Sequence, residues 1–145
     1  MSESQKIRLR IVSRQTQLDG DVLETKNARS GLLINKNGAI VVEYDDVQDG
    51  EKAHIALEMH PGRMPGENRA RMLRKGMTSA QLTFMPGQKI ASSYVMLYGE
   101  IPVAVDTRRV TILTQENGGC LTLDYDVYMG GEKTSAALME VTWRV

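Results

Sequence analysis

The decapeptide at residues 67–76, ENRARMLRKG, concentrates the side chains of this sequence that are best suited to bind an anion. A guanidinium presents its N–H donors in a planar fork that matches carboxylate and phosphate oxygens. Two local structures fit the segment. Its composition favours a helix that ends at Gly76 with a basic last turn, which would suit nucleic acid. A strand would instead place Arg71 and Arg74 on opposite faces.

Other residues with catalytic or metal-binding chemistry are poorly arranged for it. His54 and His60 would lie about 20 Å apart in one strand, too far to share a zinc ion. Cys120 is the only cysteine, and with no histidine close in sequence it indicates no Cys–His dyad. Asp124 and Asp126 share one strand face, but alternation makes that face the polar one. We therefore expect no catalytic residue, no metal and no cofactor, and a protein that is not an enzyme.

Hydrophobic alternation predicts that the elements carrying these residues are strands. In CLTLDYDVYM, residues 120–129, apolar side chains and Tyr125 take every second position, and LMEVTWRV, residues 138–145, places Trp143 on a similar apolar face. Successive side chains leave a strand on opposite sides, so a period of two indicates half-buried strands.

Turn sequences separate these runs: LDGD at 18–21, NKNGA at 35–39, QDGE at 48–51, MPGQ at 85–88, ENGG at 116–119 and MGGE at 129–132. Asn-Gly and Asp-Gly supply the residues with positive φ that tight hairpins require. No linker or repeat interrupts the series. The sequence therefore predicts a single all-β domain over residues 1–145, an antiparallel up-and-down β-barrel of about 8–10 short strands.

Inside such a barrel, residues 69–76 are better placed as a strand, because both neighbouring segments alternate as well. Arg74 then points inward among aromatic side chains, with Tyr94 and Tyr98 on one strand face. The candidate ligand-binding residues are Arg74, Phe84, Tyr94, Tyr98, Tyr125 and Trp143. Two interpretations of Arg74 stay open, since a buried guanidinium needs partners. It meets an anionic head group in a pocket, or it closes one barrel end over an aromatic ring.

The charge distribution argues against a dedicated binder of duplex DNA, because 18 Lys and Arg balance 18 Asp and Glu. Residues 61–76 carry five basic side chains and one acidic, while residues 43–58 carry six acidic side chains and one lysine. We expect these consecutive segments to neutralise each other as neighbouring strands. A patch for RNA is the alternative, although no aromatic residue lies between residues 45 and 83 to stack on bases.

Compartment and interior follow from a few residue counts. A lone cysteine fits a reducing compartment, the N-terminal residues contain no apolar stretch of the signal-peptide type, and the apolar runs are too short for a bilayer. We expect a cytoplasmic protein without a membrane partner. Nine methionines against one phenylalanine indicate either an adaptable apolar cavity or an ordinary core that is short of aromatic residues.

Five segments follow each other in an order and spacing that resembles a known family: RMLRKG, AQLTF, YVMLYG, DTRRV and GGCLTLDYDVYMGG. The likeness is to the YwiB-like family of uncharacterised bacterial proteins and covers residues 7–145. The residues that carry it are Arg74, Gly76, Phe84, Tyr94, Tyr98, Gly99, Thr107 and Tyr125. The resemblance implies a small calycin-type, lipocalin-like β-barrel and a strand at residues 69–76. It implies no activity, because the function of the family is unknown.

Two hypotheses about function follow. In the first, the barrel binds a small, partly apolar ligand with an anionic end at one mouth, since small barrels have room for side chains or one small ligand. In the second, the barrel has a filled core and is a non-enzymatic module that binds a protein or RNA partner through its outside. Neither hypothesis requires a particular oligomeric state. The space inside the barrel distinguishes them.

Overall fold

The computed structural model describes residues 3–48 and 50–145, and most of them form strands. The ten strands are β1 (Glu3–Gln17), β2 (Val22–Lys36), β3 (Ala39–Gln48), β4 (Glu51–His60), β5 (Arg69–Lys75), β6 (Ser79–Phe84), β7 (Lys89–Met96), β8 (Gly99–Gln115), β9 (Gly118–Met129) and β10 (Glu132–Arg144). A single 3-10 turn, Pro65–Glu67, is the helical element of this part of the chain. None of its helical structure is long and apolar enough to cross a membrane.

Every strand pairs antiparallel with its neighbours in sequence, and β1 also pairs with β10, so the sheet closes into a barrel. The predicted all-β, up-and-down barrel is confirmed, and residues 69–76 form strand β5 as predicted. The strands are not uniformly short, which corrects the prediction. Strands β1 and β2 have 15 residues each and β8 has 17. In β2 the pairing with β1 continues through residues 22–28, which are all exposed, so no hydrophobic alternation marks that half of the strand.

The turns divide the barrel into two ends. We call the upper end the one formed by the turns after β1, β3, β5, β7 and β9, and the lower end the one at which β1 begins and β10 ends. Positive φ at Gly20, Gly38, Gly87 and Gly130 confirms the predicted turns there. In the turn at 48–51, residue 49 lies outside the described residues. The turn between β7 and β8, at residues 97–98, was not predicted.

A β-bulge interrupts the pairing of β8 with β9. The register shifts between Thr107 and Arg109, which leaves Arg108 as the extra residue on the outer face. Its guanidinium donates to Asp124 at 2.7 Å and to Asp126 at 2.5 Å. The two aspartates therefore lie on the polar outer face, as predicted, and hold the bulge in place.

The middle and lower parts of the barrel are filled by side chains. The largest side chains with almost no exposure are Phe84, Leu57, Met59, Leu121, Leu123, Val42, Val105, Val110 and Val141. Gly31 permits the close approach of β2 and β3 that closes the sheet. A Cβ there would press on the Glu43 carbonyl and lie 2.7 Å from Leu9 Cδ1. This packing leaves the upper end as the part of the interior where a ligand could enter.

The loop between β4 and β5 crosses the lower end. Asn68 is buried, accepts a hydrogen bond from the Gly62 amide at 2.9 Å, and donates to the Val110 carbonyl at 3.1 Å. Since β8, which carries Val110, is not adjacent to β4 or β5 in the sheet, this pair of bonds ties the loop across that end of the barrel.

Candidate functional site at the upper end of the barrel

One row of inward-facing residues crosses five strands just inside the upper end. Tyr44 pairs with Ile55, Ile55 with Arg74, Arg74 with Ala80, and Ala80 with Tyr94. Directly opposite residues of paired strands project from the same face of a sheet. The row therefore places the Arg74 guanidinium inside the barrel, with a tyrosine two strands away on either side.

Arg74 differs from Arg71, on the same strand, in what it contacts. Arg71 points outward and donates through Nε to Glu58 on β4 at 2.7 Å, which confirms that the basic and acidic segments neutralise each other. Arg74 is half-buried, and no carboxylate of residues 3–48 or 50–145 lies within ion-pair distance of it. A partly desolvated guanidinium without a counter-charge is costly in an apolar setting, so this position is favourable for an incoming anion.

A second arginine reaches the same end but is already paired. Arg29 on β2 and Asp46 on β3 lie on the inward-facing sides of their strands, and Arg29 Nη2 is 3.2 Å from Asp46 Oδ1. With Arg74 included, these three side chains leave one net positive charge at the upper end. The free charge is that of Arg74.

The charges of Arg29, Asp46 and Arg74 all affect the pKa of Tyr44, at one end of the row. Burial, and to a smaller extent Asp46, raise the pKa of Tyr44 to about 12, against opposing effects of Arg29 and Arg74. Across the row, burial raises the pKa of Tyr94, and Arg74 partly opposes that shift. Both hydroxyls therefore stay protonated at neutral pH, and that of Tyr94, which lines the same cleft as Arg74, can donate a hydrogen bond to an anion there.

Two adjoining clefts open at this end. One has a volume of about 310 Å³ and is lined by Met72, Arg74, Thr78, Ala80, Leu82, Tyr94, Met96 and Ile101. The other has a volume of about 230 Å³ and extends toward β9 and β10, with Tyr125 and Ser135 in its wall. Leu82 and Tyr94 line both clefts. The combined space is mostly apolar, with one cation at its edge.

An aromatic pair, Phe84 and Tyr125, lies beneath the two clefts. Phe84 is fully buried and packs edge-on against Tyr125, with ring centroids 4.9 Å apart and an interplanar angle of 65°. Burial raises the pKa of the Tyr125 hydroxyl to about 12, and the neighbouring Tyr94 adds to the shift. This pair supports the wall of the clefts from below.

Space alone does not single out the upper end. A larger cleft, of about 700 Å³, lies on the outer face around Lys6, Arg8, Glu43 and His54. His54 Nδ1 lies 3.0 Å from Asp45 Oδ1, and its Nε2 lies 3.8 Å from Glu43. Lys6, Arg8 and Arg144 at that cleft have no ion-pair partner among the described residues, but all three are exposed to water. Solvation makes an unpaired charge less costly there than at half-buried Arg74, which favours the upper end as the anion site.

The family assignment rests on a match over most of the chain. A family profile described as "Domain of unknown function (DUF1934)" matches residues 9–141. The chain belongs to this family. The resemblance inferred from the sequence is confirmed, since the chain is 20% identical over 125 residues to the "Uncharacterized beta-barrel protein YwiB" of Bacillus subtilis (strain 168). That alignment covers 86% of this chain and 84% of the relative.

The fold of this DUF1934 protein also matches a solved structure. The crystal structure of the ywiB protein from Bacillus subtilis superposes with a TM-score of 0.84 at 19% sequence identity. The superposition covers 97% of this chain and 92% of the other. At that identity the likeness shows the shared barrel fold.

Four of the six candidate residues of this DUF1934 chain gather at or beneath the upper end. Arg74 and Tyr94 line the first cleft, Tyr125 lines the second, and Phe84 lies beneath them. The prediction that Tyr98 shares a strand face with Tyr94 is wrong. Strand β7 ends at Met96, so Tyr98 falls in a turn where 94% of its surface is exposed, and it does not share a strand face with Tyr94.

Trp143 is inside the barrel, as predicted, but at the lower end. It pairs with Leu9 and Gly119, and a Cβ at Gly119 would lie 2.8 Å from the indole Cε2. Tyr125 is six residues from Gly119 on β9, a distance of about 20 Å. Trp143 therefore belongs to the core and not to the clefts.

Some methionines fit an adaptable apolar cavity, and others belong to an ordinary core. Met72 and Met96 line the cleft beside Arg74, which fits an adaptable apolar wall. Met59 is fully buried in the core, and Met77 is exposed. Tyr44, Arg29 and Asp46 were not among the predicted site residues. The alternation in VVEYDD does place Val42, Tyr44 and Asp46 on one face, but only the pairing of β3 with β4 and of β4 with β5 shows that this face points inward near Arg74.

Proposed function

We propose that this barrel binds a small, partly apolar molecule with an anionic head, held at the upper end by Arg74. The observation that carries the proposal is the half-buried guanidinium without a carboxylate partner in the described chain, set in a row with two protonated tyrosines. A guanidinium binds a carboxylate or phosphate through two parallel charge-assisted hydrogen bonds. The cost of keeping Arg74 unpaired is offset when the anion arrives.

The apolar part of the ligand lies against the cleft walls. Met72, Leu82, Met96 and Ile101 supply aliphatic and thioether surface next to Arg74. A volume of about 310 Å³ is at the small end of ligand sites in proteins, which favours a short or flexible molecule over a large cofactor. Thioether side chains change rotamer at low cost, so the walls can adjust to related molecules.

The site is shallow because the barrel below it is filled. Leu57, Leu121, Leu123 and Val141 occupy the middle of the barrel with almost no exposure. A ligand therefore lies across the upper end instead of being enclosed along the axis. The calycin-type character implied by the family resemblance is part of this proposal, limited to a ligand at the barrel mouth.

We propose binding without catalysis. The described wall of the cleft beside Arg74 contains no histidine, cysteine or carboxylate that could act as a base or nucleophile. Its ionisable groups are Arg74 and Tyr94, and burial raises the pKa of Tyr94. We also propose that the protein acts in the cytoplasm, on the strength of its single cysteine.

Loss of the Arg74 charge should weaken binding of an anionic amphiphile. The probe is 1-anilinonaphthalene-8-sulfonate, followed by fluorescence and displaced by dodecanoate. Arg74→Met keeps the apolar volume and removes a charge-assisted pair, so the dissociation constant should rise about tenfold or more. The matched control is Arg71→Met, which removes the same charge from the outer face of the same strand and should change affinity by about twofold at most.

Neutral dodecanol separates head-group binding from apolar binding. Wild-type protein should prefer dodecanoate, and Arg74→Met should lose that preference while still binding the alcohol. Equal affinities of the two arginine variants would contradict the proposal, because the anion would then be held by the general charge of the surface.

A further inference from the structure

The first half of β2 is an unpaired sheet edge. Residues 22–30 pair with β1 on one side, from Val22 opposite Thr16 to Ser30 opposite Arg8. On the other side, pairing with β3 begins only at Gly31, and no other strand of the described chain pairs with residues 22–30. Such an edge presents backbone N–H and C=O groups that can accept another strand.

This edge is also fully accessible. Every residue from 22 to 28 is exposed, including two apolar side chains, Val22 at 49% and Leu23 at 59%. Glu24 and Lys26 lie on the same face of the strand and form an ion pair of 3.4 Å within the chain. A bare edge with exposed β-branched and leucine side chains is typical of a surface that is covered in the assembled state.

We propose that this edge pairs antiparallel with the same edge of a second copy of the chain, centred on Thr25, to form a two-fold symmetric dimer. A two-fold interface must be self-complementary, so each residue meets its partner position twice. Centring on Thr25 places Glu24 opposite Lys26 and Val22 opposite Ala28. Each of these pairs occurs twice, and Thr25 meets its own copy.

The charges select this register over its neighbours. Centring one residue earlier opposes Glu24 with Glu24, and centring one residue later opposes Lys26 with Lys26. Like charges directly opposite each other destabilise a strand pair, whereas opposite charges and paired threonines stabilise it. In the Thr25-centred register, each Glu24 lies beside Lys26 of its own chain and opposite Lys26 of the second copy. The four charged side chains therefore alternate in sign around the two-fold axis. The surface therefore fits a second copy of itself.

Charge reversal tests the register. Glu24→Lys or Lys26→Glu alone creates two like-charge pairs, and the dimer dissociation constant measured by sedimentation equilibrium should rise about tenfold or more. The double variant Glu24→Lys/Lys26→Glu restores both pairs and should dimerise like wild type. The two single variants, mixed, should form a heterodimer more tightly than either forms a homodimer. Circular dichroism checks that all of them fold, which we expect because both side chains are exposed.

A covalent test locates the axis. In a Cys120→Ser background, Thr25→Cys places two thiols opposite each other, and mild oxidation should give a disulfide-linked dimer. Asn27→Cys is the control, because its two copies would lie about 13 Å apart and should not cross-link. A wild-type chain that is monomeric at about 0.5 mM, a weak range even for transient contacts, would overturn the proposal. A dimer that ignores the charge reversals, or that cross-links equally through both cysteines, would also overturn it.

Discussion

Replacing Phe84 with alanine should lower the free energy of unfolding by about 3–5 kcal/mol, the range measured for large aromatic residues in close-packed cores. Phe84 is fully buried and contacts Tyr125, so truncation leaves a cavity and removes an aromatic contact. Tyr98→Ala should change stability by about 0.5 kcal/mol at most, because that ring is 94% exposed in a turn. Urea unfolding of the two variants and the wild type gives the comparison.

The two substitutions are matched in chemistry and differ in position. Both remove an aromatic side chain that the sequence placed in the same candidate site. Similar m-values for the three proteins are required for the comparison of midpoints to hold. A cost for Tyr98→Ala that approaches the cost for Phe84→Ala would contradict the assignment of residues 97–98 to an exposed turn.

Alkaline pH should destabilise the barrel steeply between about pH 10 and pH 12. Burial raises the pKa values of Tyr44 and Tyr125 from 10.0 to about 12, helped by Asp46 and Tyr94 respectively. Below pH 10 both tyrosines are neutral in the folded and the unfolded chain, and their contribution to stability is complete. Above pH 10 the unfolded chain ionises first, so stability falls until the folded pKa is passed. Each tyrosine accounts for about 2–3 kcal/mol of that loss.

Phenylalanine variants measure this contribution. Tyr44→Phe and Tyr125→Phe each remove one ionisation from the unfolded chain, so the slope of unfolding free energy against pH should become shallower in each variant. Absorbance at 295 nm follows tyrosinate formation in the same samples. A slope that is unchanged in the double variant would show that other groups cause the alkaline unfolding.

The barrel could be predicted from the sequence because its signals are local. Alternation marks the strands, Asn-Gly and Asp-Gly mark hairpins, and an up-and-down order needs no long-range information. Local signals do not identify a turn or a strand end that is set by the pairing between strands. The turn at residues 97–98 has no such dipeptide, so β7 and β8 looked continuous and Tyr98 was assigned to the interior.

The candidate site was predictable in part. The face of Arg74 follows from alternation in β5, and so does that of Tyr125 in β9. Their height along the barrel does not, because it depends on the stagger between strands. That stagger puts Trp143 at the lower end and brings Tyr44 into the row of Arg74. Residues of a site that share a barrel level can only be identified once the register is known.

The most direct test of the proposed anion site uses the methionines as reporters. In protein labelled with ¹³C at the methionine methyl groups, addition of dodecanoate should shift the signals of Met72 and Met96, which line the cleft beside Arg74. The signal of Met59, fully buried in the core, and that of exposed Met77 should shift far less. The Arg74→Met variant should need about tenfold or more dodecanoate for the same shifts. Shifts that leave Met72 and Met96 unchanged, or that persist at the same concentration in the variant, would contradict an Arg74-centred site at the upper end of the barrel.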